Sequence, residues 1–337
     1  MTKGKKFLNE PRHIVNEVFE GLVAAYGGQV KRLEGLNVIV RSDLQPGKVG
    51  LLVGGGSGHE PLFPGFVGTN LADGAVAGNI FAAPTPDQVL GATQALNSGK
   101  GVLYVYGNYA GDNLNFDIAA EMAADEGIQI QTVRIWDDVA SAPPERMTDR
   151  RGIAGDVFVI KAAGGAAAHL DSLDEVYRVA CKARDHTRSM GVAAAAGTFP
   201  ETGLPTFELP DDEIEIGMGL HGEEGVSRSK LLSADQVTDQ MLERILIDLP
   251  FQAGDEVCLL INNLGSTTMT ELLIINRRVH QVLVEKGLHI HDTLIGAFCT
   301  SQEMAGFSIS LLKLDAELKH YYDLPVDSFA LRRGGRG

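Results

Sequence analysis

Cysteine is scarce: Cys181, Cys258 and Cys299 are the only three in 337 residues, and no two stand at the spacing of a zinc site. Their odd number argues against a disulfide framework and for a reducing compartment, the cytoplasm. Positive charge is also short. Lys and Arg total 29 against 44 Asp and Glu, a formal net charge of −15, which disfavours nucleic acid as a partner. The one arginine cluster, "LRRGGRG" at the end of the chain, reads as a frayed terminus. No apolar run reaches the roughly 18 residues of a membrane span, so no membrane partner is expected. The basic start "MTKGKKFLNEP" has no apolar stretch behind it, so no secretory signal is expected. Internal repeats of about 20–50 residues and low-complexity blocks are absent as well.

What is present suits a globular α/β protein. Hydrophobic residues make up 44% and charged residues 22%, and the length is enough for two domains. "NVIVRS" (37–42) and "KVGLLVGGG" (48–56) read as strands, the second running into a glycine loop. "TPDQVLGATQAL" (85–96) reads as a helix with Thr85 as N-cap and Pro86 in the first turn. "GVLYVYGNYAGD" (101–112) is again strand then glycine loop, followed by a helix over 115–127 and a strand over 128–136. This alternation predicts a mainly parallel sheet covered by helices, with both glycine loops at strand ends, where open α/β sheets bind ligands. Residues 162–191 read as one long helix leaving the first domain. Beyond it, 235–249 and 267–287 read as helices, and 256–265 and 306–315 as strands. The expected fold is therefore two α/β domains. Residues 1–188 carry the glycine loops, His59 and Asp112; residues 189–337 form a smaller mixed domain that carries His221.

Three stretches carry candidate chemistry. "GGGSGHE" (54–60) is not a P-loop, because no lysine follows its last glycine. It reads either as a tight turn or as backbone that meets a small ligand, with His59 as polar handle. In "GNYAGD" (107–112), Asp112 is either a cap for the next helix or, beside a histidine in a cleft, a general base. In and just before "GLHGEEG" (219–225), Gly217, Gly219 and Gly222 satisfy G-x-G-x-x-G. Acidic residues follow and no apolar helix opens there, so the match is false for a dinucleotide. His221 stands there on bare backbone beside Glu223 and Glu224. Metal binding would need further ligands, and His289 and His291, on alternating positions, are a weak pairing. The other use is an imidazole acting on a substrate as base or nucleophile, its ring oriented by the acidic neighbours.

In order along the chain, "GGGSGHEPL", "NYAGDNLNF", "DDVA", "RRGIAG", "GAAA", "GMGLHGEEG", "NNLG" and "GAFCTSQEMAGFSISLLK" together resemble the K subunit of dihydroxyacetone kinase. The resemblance spans essentially the whole chain. It implies a ketose-binding subunit that forms a homodimer and has no nucleotide of its own. ATP or ADP with Mg sits on a separate L subunit, which in some systems is recharged by a subunit of the bacterial phosphotransferase system. By the same resemblance His221 holds the ketone carbon as a covalent hemiaminal. His59 hydrogen-bonds the former ketone oxygen, Asp112 takes the proton of the phosphorylated hydroxyl, and Gly56, Ser57 and Gly58 supply backbone around the substrate. Gly107 and Ala110 depart from the family loop, which reads lysine and threonine there. Both changes remove volume and polarity, so a four-carbon or branched ketose such as erythrulose or apulose is a candidate substrate beside dihydroxyacetone. Two other classes compete: a ketose sensor that transfers nothing, against which an intact Asp112 argues, and a metal-dependent aldolase-like enzyme using His59, His289 and His291.

Overall fold

The computed structural model of the chain describes residues 4–335; Met1–Lys3 of the basic start and Arg336 and Gly337 of the arginine tail lie outside them. Contacts divide the chain into two compact units. One comprises Phe7–Ile135, Phe158–Ala183 and Glu317–Gly337; the other comprises Met1–Lys6, Trp136–Val157 and Arg184–Ala316. This differs from a single boundary after residue 188. The units interleave along the sequence, because each recruits segments far apart in the chain, and a linear reading has no signal for that.

The first unit contains β1 (Val30–Arg32), β2 (Val38–Arg41), β3 (Gly50–Ser57), β4 (Gly74–Ile80), β5 (Val102–Gly107) and β6 (Ile130–Ile135). They form a sheet in the order β1-β2-β4-β3-β5-β6. Strands β4, β3, β5 and β6 pair in parallel, while β1 and β2 add an antiparallel edge. Before β1 lies α1 (Ile14–Tyr26); α2 (Pro86–Leu96) and α3 (Ala110–Asp125) link the parallel strands. Strands covered on both faces need no alternation of apolar and polar residues, and β5 is accordingly buried at every position. Val76, Val89, Tyr104, Tyr106, Phe116 and Ala119 belong to the core shared by this sheet, α2 and α3. From β3 the chain goes to β4 on one side and then crosses to β5 on the other. The carboxyl ends of these three strands therefore flank a topological switch point, the usual ligand crevice of an open α/β sheet.

The stretch read as one long helix over 162–191 is two helices, α4 (Asp156–His169) and α5 (Leu173–Asp185), followed by a strand, β7 (Thr187–Ala195). The strand was hidden by its polar start. Thr187, Arg188 and Ser189 are buried because β12 (Ala305–Leu314) pairs along them, and the Ser189 hydroxyl donates to Ser310 Oγ at 2.6 Å.

The second unit also holds β8 (Glu213–Ile216), β9 (Ser227–Lys230), β10 (Glu256–Asn263) and β11 (His289–Gly296). Its sheet order is β11-β10-β12-β7-β8-β9; β10 and β11 are parallel and the other pairs antiparallel, so the sheet is mixed as expected. Two helices, α6 (Ala234–Asp248) and α7 (Met269–Glu285), pack on it, with Met241, Ile245, Ile275 and Val279 in a core shared with Val257, Leu259 and Ile309. Both open on capping boxes, Ser233 with Gln236 and Thr268 with Glu271, which satisfy backbone N–H groups left over at a helix start. Among the described residues, no helix is long and apolar enough to cross a membrane.

Candidate active site

The sheet of the first unit places three segments at one edge. His59 follows the end of β3, Phe81 follows β4, and Asp112 follows β5. Gly58 has φ +100°, a conformation glycine adopts without strain, and turns the chain sharply before His59. The turn is pinned by Ser57: its hydroxyl donates to the Gly78 carbonyl at 2.7 Å, and its carbonyl accepts from the Phe81 N–H at 2.8 Å. His59 is 4% exposed, and its ring lies 5.1 Å from the Phe81 ring, centroid to centroid. Phe81 itself holds a positive φ of 54°, uncommon for a bulky residue and typical of backbone constrained at functional sites. The backbone N–H of Gly58 donates to the Glu60 carboxylate at 3.1 Å, and burial pushes the Glu60 carboxyl up against that bond.

Asp112 is not a loop cap for a helix starting at 115. The helix starts at Ala110, with Tyr109 as an N-cap that supplies no side-chain bond, and Asp112 lies in its first turn at 8% exposure. That turn is the N-terminal, positive end of the helix dipole. The start of α3 is tied to the segment after β4, since Asn115 Nδ2 donates to the Pro84 carbonyl at 2.8 Å. Asp112, Phe81 and His59 are thus on three neighbouring segments at the carboxyl ends of β5, β4 and β3. Gly107 closes β5 and is buried, whereas Ala110 is exposed.

His221 belongs to the second unit, on the turn that links β8 and β9. A strand rather than a helix follows it, which agrees with rejecting the dinucleotide pattern at Gly217, Gly219 and Gly222. The side chain is 27% exposed, and its Nδ1 is 2.9 Å from Glu223 Oε1. The backbone N–H of His221 also donates to Glu223 Oε2 at 2.9 Å. Burial pushes the Glu223 carboxyl up, but the hydrogen bond and charge of His221, with the charge of Arg151 behind them, prevail and hold it at about 2. An ionised carboxylate on Nδ1 fixes the tautomer with the proton on that nitrogen. From the other side, the buried Ser301 hydroxyl donates to the Leu220 carbonyl, one residue before His221.

Sequence reasoning singled out His59, Asp112, His221 and the Gly56–Gly58 backbone. Within its unit the structure brings His59 and Asp112 to one sheet edge, and it gives His221 its own buttressed turn. It missed Phe81, Arg151, Asp138 and Ser301. The last three lie within the quoted "RRGIAG", "DDVA" and "TSQEM" stretches, but nothing local says that they serve the His221 turn. His289 and His291 lie on β11, with His291 Nδ1 4.0 Å from Glu256 Oε1. Among the described residues, no group of three or more His, Cys, Asp or Glu is arranged to hold a metal ion.

A family model described as the Dak1 domain matches residues 20–330. The dihydroxyacetone-binding subunit of PTS-dependent dihydroxyacetone kinase 2 of Listeria innocua is 47% identical, over 96% of this chain and 98% of that protein. L-erythrulose kinase of Pectobacterium atrosepticum is 38% identical over 97% of this chain, which spans only 56% of that longer protein. Among solved structures, the native dihydroxyacetone kinase of C. freundii matches with a TM-score of 0.87 at 32% identity, over 98% of this chain and 60% of that one. A dihydroxyacetone kinase operon co-activator matches with a TM-score of 0.89 at 29% identity, over 97% of this chain and 100% of that one. The matched span and the identities leave one assignment: the chain belongs to the Dak1 domain family, whose members include the dihydroxyacetone-binding subunits of dihydroxyacetone kinases.

Proposed function

We propose that this chain is the ketose-binding subunit of a short-chain ketose kinase, and that it captures its substrate on His221. The observation that carries the reading is the Glu223 carboxylate on Nδ1 of a partly exposed imidazole set among glycines. With the proton held on Nδ1, the lone pair for chemistry is that of Nε2. Attack on a ketone carbon forms the C–N bond, and the carbonyl π pair moves to oxygen, which takes up a proton. The positive charge left on the ring faces Glu223. His59 donates a hydrogen bond to the former ketone oxygen. In the second step the terminal hydroxyl oxygen attacks the γ-phosphorus of a nucleotide; its proton goes to Asp112 and the bond to the diphosphate breaks. Capture of this kind selects carbonyl compounds by reactivity, so glycerol is excluded without a close steric fit.

ATP or ADP with Mg is supplied in this reading by a nucleotide-bearing L subunit. A phosphotransferase-system donor is consistent with the PTS dependence in the name of the Listeria relative. Homodimerisation and a cytoplasmic location belong to the same reading. Dihydroxyacetone is accepted. The small residues Gly107 and Ala110, together with a relative named for erythrulose, extend the class to four-carbon ketoses. A sensor reading has its own support in the operon co-activator of the same fold. Asp112 distinguishes the two, because a sensor transfers nothing and needs no base. The test is intact-protein mass spectrometry after incubation with dihydroxyacetone, erythrulose and glycerol, with His221→Ala in parallel. Adducts with the ketoses alone, lost in His221→Ala, are expected. An adduct that persists in the variant refutes capture by His221, and an adduct without turnover when an L subunit and MgATP are added favours the sensor.

A further inference from the structure

Behind Glu223 stands a cation that the ketose reading does not use. Arg151 is 13% exposed and donates from Nε and Nη2 to Asp138 Oδ2 at 3.0 and 2.7 Å. Its Nη2 also donates to the Gly217 carbonyl at 3.2 Å, at the start of the His221 turn. Its remaining terminal nitrogen, Nη1, lies 4.0 Å from Glu223 Oε2. Asp138 is fully buried and accepts from the Ala140 N–H at 3.0 Å; burial pushes its carboxyl up to about 6 against the pull of Arg151.

Gly219 makes this approach sterically feasible. A Cβ at 219 would fall 2.2 Å from Glu223 Oε2 and 2.5 Å from Arg151 Nη1, inside the gap between carboxylate and guanidinium. Any side chain there would force the two apart. A purely structural arginine would be served by Asp138 and the Gly217 carbonyl; the third nitrogen turned toward Glu223 is what that role does not require. The charged groups around Glu223 are His221 and Glu224 on its own turn, and Arg151 with Asp138 behind it. Glu215 of β8 is engaged elsewhere, accepting from the Gly225 N–H at 3.0 Å and from Arg228 Nε at 2.7 Å.

We infer that Arg151 is a positioning residue: through Glu223, and across the gap left by Gly219, it holds His221 in the tautomer that leaves Nε2 as the attacking nitrogen. This rests on His221 being the reactive group proposed above, but the tautomer can be read without any substrate.

The experiment is ¹⁵N NMR of histidine side chains in the full-length chain, with His221→Ala identifying the His221 signals. Arg151→Met, Arg151→Lys and Gly219→Ala are compared with the native chain, and melting curves check that each is folded. The native chain is expected to show a single His221 species protonated on Nδ1. Arg151→Met and Gly219→Ala are expected to show mixed tautomers and Arg151→Lys a partial return. Gly219→Ala keeps the Arg151–Asp138 pair, so it reports on the gap even if Arg151→Met does not fold. Dihydroxyacetone adduct formation followed against pH gives a second readout. Loss of a cation 4.0 Å from a partly exposed carboxylate is expected to weaken capture roughly tenfold and to move its acid limb to higher pH. A single Nδ1-protonated species in Arg151→Met and in Gly219→Ala, with capture within twofold of native, overturns the inference. Mixed tautomers in Arg151→Met and Gly219→Ala, with no adduct in the native chain, overturn the ketose reading and support the positioning role.

Discussion

Replacing Glu223 by Gln tests the reaction geometry at its nearest support. The carboxylate accepts two bonds from His221, one from the backbone N–H and one from the ring, each at 2.9 Å. Glutamine offers one acceptor oxygen and one NH₂ group. It can satisfy one of the two donors but presents a donor to the other, and the ring loses the anion that fixes its proton. A hydrogen bond to a charged group is worth about 1.5–3 kcal/mol, and removing one partner leaves the other group unsatisfied. The Glu223 side chain is 34% exposed, so water recovers part of the loss and the lower end applies. A loss of about 1.5–2 kcal/mol in the transition state is roughly a 10–30-fold fall in kcat/KM. The assay is phosphorylation of dihydroxyacetone with a nucleotide-bearing L subunit and MgATP. The pH dependence has a defined sign. The folded carboxyl sits at about 2, below its ordinary 4.5, so its contribution to stability is fully present above pH 4.5 and lost as pH falls toward 2. From about pH 5 to about 9 Glu223 itself stays ionised, so any change of the glutamine effect within that range does not come from titration of this carboxyl. If kcat/KM in Glu223→Gln stays within twofold of native, the carboxylate does not orient the nucleophile and the reasoning fails.

Two further outcomes follow from other parts of the molecule. Asp112→Asn should keep the ketose adduct but lose about 10²–10⁴ in phosphoryl transfer, as the removal of a general base typically does; near-native turnover would contradict that role. Asp248→Asn should destabilise the second unit. Arg150, fully buried, donates to both carboxylate oxygens at 2.8 and 2.5 Å, and Arg188 Nε donates to one at 2.5 Å, so the variant leaves two buried guanidinium groups without their anion. Breaking such a pair costs about 3–5 kcal/mol, or roughly 6–20 °C in melting temperature, and a fall of under about 2 °C would refute it. Burial raises the Asp248 carboxyl, but the two arginines hold it below its ordinary 3.8. The stability it brings is therefore present above that pH and lost as pH falls further.

The parts of the fold that could be read from the sequence are those whose cause is local. The strand over β3, the helix α2 starting at Pro86, and the helices ended near Gly127 and Gly287 all follow from runs, caps and turn residues within a few positions. The misreadings share a different cause. The apolar residues of α4 occur all round the helix, so it has no amphipathic period to mark its limits, and the sequence looks continuous through the break before α5. The polar opening of β7 is a strand only because residues more than 100 positions away pair with it and Asp248, 60 positions away, holds its Arg188. The helix α3 starts five residues before the expected 115 although Gly111 and two asparagines disfavour it. Its N-terminal part is tied to remote chain by contacts such as that of Asn115, in the second turn, with Pro84, 31 positions earlier.

The candidate site divides in the same way. His221 and Glu223 are two residues apart, and their pairing could be expected from the stretch "GLHGEEG" alone. What stands behind that pair is remote: Arg151 is 72 positions before Glu223, and Asp138, which holds Arg151, is 85 before it. Gly219 shows why such support leaves so faint a trace in sequence. Its contribution is a missing Cβ, and in a turn already rich in glycine that absence cannot be told apart from a need for backbone freedom. Gly222, with φ +86°, does need that freedom, whereas Gly219 has no positive φ and is required by the space between two charges. The same residue type in one loop thus answers two physical demands. Alanine at 219 should therefore disturb the His221–Glu223 pair without straining the backbone, which makes it the cleaner probe of the electrostatic support.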